Sequence, residues 1–402
     1  MSDRTHEARR RFLKGSGALA LAGMAPAILR AQESPLQLGV LTPLTGAGGF
    51  DGPRMAKAMQ AVIDEVNGAG GLLGRKVVLV VEDSQTNPEG AVRAARKLID
   101  VTKVPAIMGT WASAVTSAVA PVCWESRTFL TTVSGADSIT KLPHQGYLIR
   151  TQPNNHLQAG KHAEFIAAQG VKRCFMMSIQ APFAKPTQER ATEVLKQKGS
   201  QMVGTLIYDK DKTTYRSEVD QALKTNPDLI YLNGYAPDVT ILLRDLYRAG
   251  YPGLRFAQSY AVTSKVLDAL PHEVTEGVIT VQPSADVGSP AYDLARKRLG
   301  IAEPDSYESQ ATDWASLVSL SIAKAKAASG TAIRDNVRKI CQGGGTKVYS
   351  AVEGLKLLGE GKDINYEGAS GPCDFTDIGD ITDCKFRYNK VAGGKFVLLK
   401  VA

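Results

Sequence analysis

The sequence predicts an α/β fold with two doubly wound parallel sheets. Short apolar strands alternate with amphipathic helical segments over residues 36–150, and the same alternation begins again after Pro153 and continues to residue 281. Such alternation is typical of parallel sheets with helices on both faces. The 402 residues are enough for two lobes of this kind, and Pro153 and Pro283 mark the expected boundaries between them.

The first half contains five predicted strands with helices between them. Its first helix places its apolar residues on one side, begins near Pro53 and ends at the glycines that follow residue 67. The predicted strands span residues 36–41, 76–82, 106–108, 128–132 and 147–150, and the helices span residues 53–69, residues 88–101 and a segment that begins near residue 113.

The second half repeats this pattern and then becomes mostly helical after Pro283. Predicted strands span residues 174–178, 201–208, 229–232, 255–257 and 278–281, and predicted helices span residues 155–169, 184–198, 215–225, 237–249 and 263–270. Later helices are expected over residues 290–299, 308–329, 331–340 and 350–358. A hairpin-like tail is expected from Gly371 onward.

The N-terminus has the features of an export signal. A basic run at residues 9–14 contains paired arginines, and a weakly apolar, uncharged segment follows as far as Leu29. With a cleavage site after Ala31, these features predict a Tat-like signal peptide over residues 1–31 and a periplasmic location. The remaining chain has 42 basic and 38 acidic residues, a net charge of +4. This balance argues against a nucleic-acid partner, which requires clustered Lys and Arg.

Five cysteines leave at least one thiol unpaired within the chain. Cys373 and Cys384 are equally far from the middle of a turn at residues 377–380, so in a hairpin centred there they would face each other within reach of a disulfide. An exported protein permits such a bond. The sequence leaves open whether these residues form a disulfide or two free thiols.

The sequence offers no motif for catalysis, a cofactor or a metal ion. The glycine-rich segment at residues 46–51 has Asp51 where a dinucleotide-binding fingerprint needs its third glycine. His156 and His162 are six residues apart and therefore do not share a helical face. Ser113 and Ser134 have no evident base partner. We therefore expect a binding protein that is not an enzyme, with no cofactor and no metal.

Two strand ends carry small and hydroxyl residues that suit an anion. At the carboxyl ends of parallel strands, small side chains let backbone N–H groups approach a carboxylate. The alternative is that both segments are ordinary strand-to-helix connections with cap residues. The candidate ligand-binding residues at these two ends are Trp111, Ala112, Ser113, Ser134, Gly135 and Ala136.

Aromatic residues occupy equivalent strand ends in the second half of the chain. Phe183 and Tyr235 follow predicted strands, as Trp111 does in the first half. Aromatic rings at such ends could cover a ligand with apolar bulk, and a tyrosine hydroxyl could bind its polar end. The alternative is that these rings pack beneath the next helix.

Three sequence motifs, spread over both halves, resemble those of a known family. They are Asn-Gly-Ala-Gly-Gly-Leu-Leu-Gly-Arg at residues 67–75, Glu-Asp-Ser followed by Asn-Pro within residues 82–88, and Ile-Asn-Tyr-Glu-Gly-Ala-Ser-Gly-Pro at residues 364–372. In this combination and order they resemble the leucine/isoleucine/valine-binding protein family. Its members are type I periplasmic solute-binding proteins of branched-chain amino acid ABC importers, and the resemblance covers residues 35–402.

The resemblance implies two Rossmann-like lobes joined by three hinge crossovers, with the ligand bound between the lobes. The crossovers are expected near residues 151–154, 281–284 and 366–371. Lobe 1 would then comprise residues 35–152 and 283–366, and lobe 2 residues 153–282 and 367–402.

The resemblance also implies roles for particular residues. The family's carboxylate-binding serine aligns with Ser113, and the residues that meet the ligand's amino and carboxylate groups align with Ser134 and Ala136. The aromatic residues of the second lobe align with Phe183 and Tyr235. The family usually has threonine and tyrosine where this chain has Ala136 and Phe183.

One departure from the family bears on the ligand. The glutamate that commonly pairs with the ligand ammonium should lie near Ser259, where this chain has no acidic residue. A buried ammonium without a carboxylate partner costs several kcal/mol. Either Asp51 replaces the glutamate, or the ligand carries no α-ammonium. In the second case Trp111, Tyr260 and the two aromatic residues of lobe 2 would suit an aromatic or other hydrophobic carboxylate.

The leading hypothesis is a monomeric periplasmic receptor that delivers a small molecule to the permease subunits of an ABC transporter. The expected ligand is a hydrophobic amino acid of the branched-chain type or a related carboxylate, and the alternative is an aromatic or other ammonium-free carboxylate. Two further classes stay open. A sensory ligand-binding module would share the fold, whereas an exported hydrolase would need a nucleophile–base pair that the sequence does not offer.

Overall fold

Two sheets dominate the structure, a computed structural model that describes residues 34–402. The signal peptide expected over residues 1–31 lies outside the described residues. All pairings in the five-stranded sheet are parallel. The seven-stranded sheet is parallel except at its C-terminal hairpin. The predicted α/β class is therefore confirmed, and we call the parts built on the two sheets lobe 1 and lobe 2.

Lobe 1 begins with five strands and the helices that connect them. The strands are β1 Leu36–Thr42, β2 Val77–Asp83, β3 Ala106–Gly109, β4 Phe129–Thr132 and β5 Leu148–Arg150. The helices are α1 Gly52–Gly68, α2 Pro88–Arg96, which continues as a π-helix over Lys97–Val101, and α3 Ser113–Glu125. The order in the sheet is β2-β1-β3-β4-β5, so the winding direction changes between β1 and β3. Loops on either side of such a switch point turn apart and leave a crevice at the carboxyl ends of the strands.

Lobe 2 contains the next five strands and their helices. The strands are β6 Arg173–Ile179, β7 Gln201–Tyr208, β8 Leu229–Asn233, β9 Leu254–Gln258 and β10 Ile279–Pro283. The helices are α4 Asn155–Ala168, α5 Ala184–Gln197, α6 Arg216–Leu223, α7 Ala236–Arg248, α8 Ser264–Ala269 and α9 His272–Thr275. The order β10-β9-β8-β6-β7 places the switch point of this lobe between β6 and β8.

After β10 the chain returns to lobe 1 and then to lobe 2. The added helices are α10 Pro290–Leu299, α11 Ser306–Ala325, α12 Gly330–Cys341 and α13 Ala351–Gly359. A small sheet contains β11 Thr346–Val348, β12 Ile364–Gly368 and β13 Gly371–Pro372. The chain ends with the antiparallel hairpin of β14 Phe386–Ala392 and β15 Lys395–Val401, which extends the sheet of lobe 2 next to β10.

The core of lobe 1 confirms the apolar face predicted for the first helix. Met55, Met59, Val62, Ile63 and Val66 of α1 are all fully buried. They belong to one hydrophobic cluster with strands of the sheet and with side chains of α11 and α12. Among residues 34–402, no helix combines the length and the apolar character needed to cross a membrane.

The chain passes between the two sheets three times. The first two passages follow β5 and β10, close to the expected crossovers, and the third lies between β13 and β14. Which residues belong to each lobe stays a prediction. In the tail, the structure differs from that prediction at two residues. Cys373 and Phe375, which the sequence assigned to lobe 2, pack into the hydrophobic cluster of lobe 1.

The register of the tail explains why the two cysteines are free. Phe375 pairs with Ile381 in an antiparallel bridge, one position away from the register in which Cys373 would face Cys384. Because side chains alternate between the faces of a strand, a shift of one residue turns them to opposite sides. Cys373 is buried and Cys384 is partly exposed, and both are free thiols. The disulfide considered from the sequence is therefore not formed.

Candidate functional site

The candidate site is a cavity between the lobes, at the carboxyl ends of strands in both sheets. Loops after β3 and β4 line it from lobe 1, and loops after β6, β8 and β9 line it from lobe 2. These loops include those at both switch points, where a parallel sheet leaves a crevice. Six residues proposed from the sequence meet there, namely Trp111, Ser113, Gly135, Phe183, Tyr235 and Tyr260.

The start of α3 presents hydrogen-bond donors toward this cavity. Ala112 is the extended N-cap residue and is nearly buried, and no side chain within the described residues caps the helix at this end. The first N–H groups of a helix have no acceptor within the helix, and the helix dipole adds positive potential there. The Ser113 hydroxyl accepts a hydrogen bond of 3.3 Å from the backbone N–H of Ala136, so its own proton remains available for a ligand.

Ser134 and Ala136 support the site without lining the cavity. The Ser134 hydroxyl contacts the hydroxyl of Thr116 and donates to the backbone carbonyl of Trp111 at 3.0 Å. Both Ser134 and Ala136 are almost fully buried. The Ser134 hydroxyl therefore holds the loop after β4 against the start of α3, and it does not face the cleft.

Gly135 lies where no larger residue fits. A Cβ at this position would be 2.2 Å from Oδ1 of Asn155. The Gly135 carbonyl accepts a hydrogen bond of 2.7 Å from the backbone N–H of Asn155, the first residue of α4. This close approach ties the loop of lobe 1 to the first segment that crosses between the lobes.

Aromatic rings from both lobes meet across the cleft. The ring centroid of Trp111 lies 5.2 Å from that of Tyr235, 5.5 Å from that of Tyr260 and 6.3 Å from that of Tyr307. The rings of Phe183 and Tyr235 are 6.0 Å apart. These rings reduce the cavity to about 40 Å³, room for only a few water-sized molecules. A ligand with a hydrocarbon body therefore needs the lobes to separate or the rings to turn.

The polar part of the lining is neutral. None of the described residues that line the cavity is Asp, Glu, Lys or Arg. Nδ2 of Asn155 and Nε2 of His162 are buried there without a hydrogen-bond partner in the described residues. His162 Nδ1 lies 2.9 Å from the hydroxyl of Tyr231, and burial lowers the pKa of His162 to about 3. The imidazole is therefore uncharged at physiological pH.

Ser259 and Asp51 lie in a neighbouring cavity of about 290 Å³ and not in the main one, which corrects the expectation from the sequence. Gln258, the last residue of β9, lines the main cavity, whereas Ser259, in the turn that follows, lines the other, and Tyr260 lines both. Asp51 is buried 3.8 Å from Arg54, whose guanidinium also binds Asp305 and Glu308. Asp51 belongs to this charged cluster of Arg54, Asp305 and Glu308.

Burial and neighbouring charges perturb the carboxyl group of Asp51. Burial raises the pKa of Asp51 well above its usual range, the nearby carboxylates of Asp305 and Glu308 raise it further, and Arg54 lowers it. Asp51 therefore keeps a proton up to a higher pH than an exposed aspartate does.

Several lining residues have no signal in the sequence. Asn155, Gln158 and His162 lie on α4, where they look like ordinary helical residues, and Tyr307 lies at the start of α11. They reach the cavity because α4 begins directly after the first crossing and α11 packs against lobe 1. Gln258 is the last residue of β9 and lies next to Ser259, which was proposed from the sequence.

The two α/β lobes enclose a neutral, partly aromatic cleft that lies at both switch points. The chain belongs to the periplasmic binding protein family, whose family model matches residues 35–362. Relatives in this family are solute-binding proteins. The resemblance proposed from the sequence motifs is therefore confirmed.

Two curated relatives illustrate the similarity. The Leu/Ile/Val-binding protein BraC3 of Rhizobium johnstonii is 26% identical over 218 residues, which cover 54% of this chain and 59% of BraC3. The chemotactic signal transduction system substrate-binding protein BasB of Halobacterium salinarum is 24% identical over 356 residues, which cover 85% of this chain and 84% of BasB. The matched part thus spans less than two thirds of BraC3 and most of BasB.

Solved structures confirm the fold. LivJ of Streptococcus pneumoniae, a branched-chain amino acid transporter substrate-binding protein in complex with isoleucine, has a TM-score of 0.78 at 18% identity, covering 92% of this chain and 99% of that chain. A solute-binding protein of an ABC transporter from Rhodopseudomonas palustris, in complex with benzoate, has a TM-score of 0.72 at 17% identity, covering 92% and 96%.

Proposed function

We propose that this protein is a monomeric periplasmic receptor of an ABC uptake transporter, exported by the signal over residues 1–31, and that it binds a hydrophobic carboxylate without an α-ammonium. The observation that carries this proposal is the neutral lining of the main cavity. The N-cap residues of α3, α5 and α7 all lie at the cavity or beside it, and no side chain of the described residues caps these helices. The cavity thus favours an anion and holds no counter-charge for a cation.

The free energies of placing each kind of charge in the cavity also favour a carboxylate over an ammonium. A carboxylate near a helix N-terminus gains about 0.3–1 kcal/mol, and up to about 2 kcal/mol when it is partly buried. A buried ammonium without an acidic partner costs several kcal/mol. The surrounding rings of Trp111, Phe183 and Tyr235 would bury the hydrocarbon part of the ligand.

A hydrophobic amino acid of the branched-chain type is the second candidate ligand. The names of BraC3 and LivJ support it, whereas the benzoate complex of the Rhodopseudomonas palustris protein supports an ammonium-free acid. Within this chain, Gln258 lies beside the position where the family has its glutamate, and its neutral amide could accept only a weaker hydrogen bond from an ammonium.

A thermal-shift screen of the purified protein tests the choice of ligand. The matched probes are leucine against 4-methylpentanoate, phenylalanine against 3-phenylpropanoate, and benzoate against benzamide. A ligand at 100 times its Kd should add about 2.7 kcal/mol of stability. We expect shifts with the ammonium-free acids. Shifts with the amino acids alone would establish the second candidate, and no shift with any probe would contradict the proposal.

A sensory role is the alternative that BasB raises, since its name places it in chemotactic signalling. The fold and cleft are the same in both cases, so only the behaviour of cells separates them. Cells that lack this protein should lose uptake of the radiolabelled ligand if the protein serves a permease. Unchanged uptake with lost chemotaxis toward the ligand would assign it to signalling.

A further inference from the structure

A buried ion pair lies directly behind the loop after β4. Arg150, at the end of β5, is fully buried, and Asp380 comes from the tail 230 residues later in the chain. The guanidinium donates to Oδ1 of Asp380 from Nε at 2.9 Å and from Nη2 at 2.6 Å. The backbone N–H of Arg150 also donates to the carbonyl of Gly379 at 2.8 Å. The tail is thereby fixed against the edge of the lobe 1 sheet.

The third nitrogen of the guanidinium, Nη1, binds two backbone carbonyls of the loop after β4. Nη1 of Arg150 donates to the carbonyl of Ser134 at 3.0 Å and to that of Ala136 at 2.7 Å. In a planar trans peptide the C=O and the following N–H point in opposite directions. The N–H groups of Gly135 and Asp137 therefore point away from Arg150, and within residues 34–402 neither donates a hydrogen bond. Gly135 lines the main cavity.

We propose that Arg150 and Asp380 form a positioning pair that aims the N–H group of Gly135 at the ligand carboxylate. This inference rests on the proposed function, because it assigns an anion-binding donor of that same site. Arg150 touches no ligand and acts through the loop. Asp380 fixes the guanidinium and offsets its charge. The pair therefore orients the loop after β4 and adds little net charge to the site.

The shape of the guanidinium makes arginine necessary at this position. Its planar fork binds Asp380 with two nitrogens while the third reaches both carbonyls, and an ammonium on a flexible stem cannot reproduce this arrangement. The approach of the tail also depends on Gly379, where a Cβ would lie 2.5 Å from the carbonyl of Leu148. Asp380 further accepts a hydrogen bond of 3.2 Å from Nδ2 of Asn154, the N-cap residue of α4.

A charge-free double variant tests the proposal without leaving a buried charge unpaired. Arg150→Met with Asp380→Asn removes both charges together, which is tolerated far better than the loss of one partner. The matched control is Arg298→Met with Glu65→Gln, which removes a 2.7 Å ion pair of a buried arginine elsewhere in lobe 1. Both variants and the wild type are titrated with benzoate and with benzamide.

We expect the double variant to lose about tenfold or more in benzoate affinity and about threefold or less in benzamide affinity, since the anion depends more on aimed donors. The control variant should keep the wild-type preference for the acid over the amide. A general loosening of the fold would weaken both probes alike. An unchanged preference in a folded double variant would overturn the proposal.

Hydrogen exchange measured by mass spectrometry tests the positioning step without a ligand. The segment of residues 134–140 should exchange faster in the double variant than in the wild type and the control, because its carbonyls have lost Arg150. Unchanged exchange would overturn the positioning role. A wild type that binds neither benzoate nor 4-methylpentanoate would instead count against the proposed function, and the exchange result would then decide the positioning role alone.

Discussion

A single hydroxyl at the start of α3 provides the sharpest test at the residue scale. Ser113 lies in the main cavity, and its hydroxyl proton is free to donate to a carboxylate. We expect Ser113→Ala to weaken binding of the acid by roughly 1–3 kcal/mol, since a charged acceptor loses a buried donor. Isothermal titration calorimetry measures this change.

The control for Ser113 is a buried serine away from the cavity. The hydroxyl of Ser319, on α11, is buried without a hydrogen-bond partner in the described residues. Ser319→Ala should leave the affinity unchanged. If Ser113→Ala also leaves it unchanged, Ser113 does not bind the ligand.

The neutral lining predicts that affinity does not depend on pH. Burial lowers the pKa of His162 to about 3, and burial raises the pKa of Tyr235 above its usual range. Neither group changes its charge between about pH 5.5 and 8, so the affinity for the acid should stay constant over that range. Titrations at several pH values measure this. A tenfold change in affinity over that range would contradict the prediction.

At the scale of elements, the alternation of strands and helices was predictable because each element buries one face. The helix at residues 53–69 was expected from its apolar spacing, and the structure has it over Gly52–Gly68. The short strands β11 and β12 were not predicted, because three to five residues carry too little periodicity. The tail was expected to be a hairpin, but its register depends on contacts with Arg150 that a local pattern cannot show.

The turn between β12 and β13 is anchored by one buried carboxylate of α11. Asp313 accepts hydrogen bonds from the hydroxyl of Tyr366, the N–H of Ala369, and both the N–H and the hydroxyl of Ser370. Burial nevertheless raises the pKa of Asp313 to about 6, although these hydrogen bonds lower it. The folded protein therefore takes up a proton on Asp313 at a higher pH than the unfolded chain does.

This pKa predicts how stability changes with pH. The stabilising contribution of protonated Asp313 is present at low pH and is lost as the pH rises through about 6. Relative to Asp313→Asn, the wild type should lose about 2 kcal/mol of unfolding free energy between pH 4 and pH 7. Urea denaturation of both proteins at the two pH values measures the difference. A gain for the wild type over this range would contradict the raised pKa.

At the scale of the whole molecule, the site depends on residues that are far apart in the sequence. The loops after β3 and β4 were predictable because small and hydroxyl residues follow apolar strands. The other residues that line the site were not predictable. Tyr307 and His162 come from helices whose placement follows only from the packing of the two lobes, and the same packing moves Asp51 into a different cavity.

The proposed cleft holds a carboxylate and offers no partner to an α-ammonium. Leucine and 4-methylpentanoate differ only in that ammonium, so calorimetric titration of the wild type with each compound tests the claim directly. We expect 4-methylpentanoate to bind about a hundredfold more tightly, because a buried and unpaired ammonium costs several kcal/mol. Equal or tighter binding of leucine would contradict the claim and would establish an amino-acid receptor.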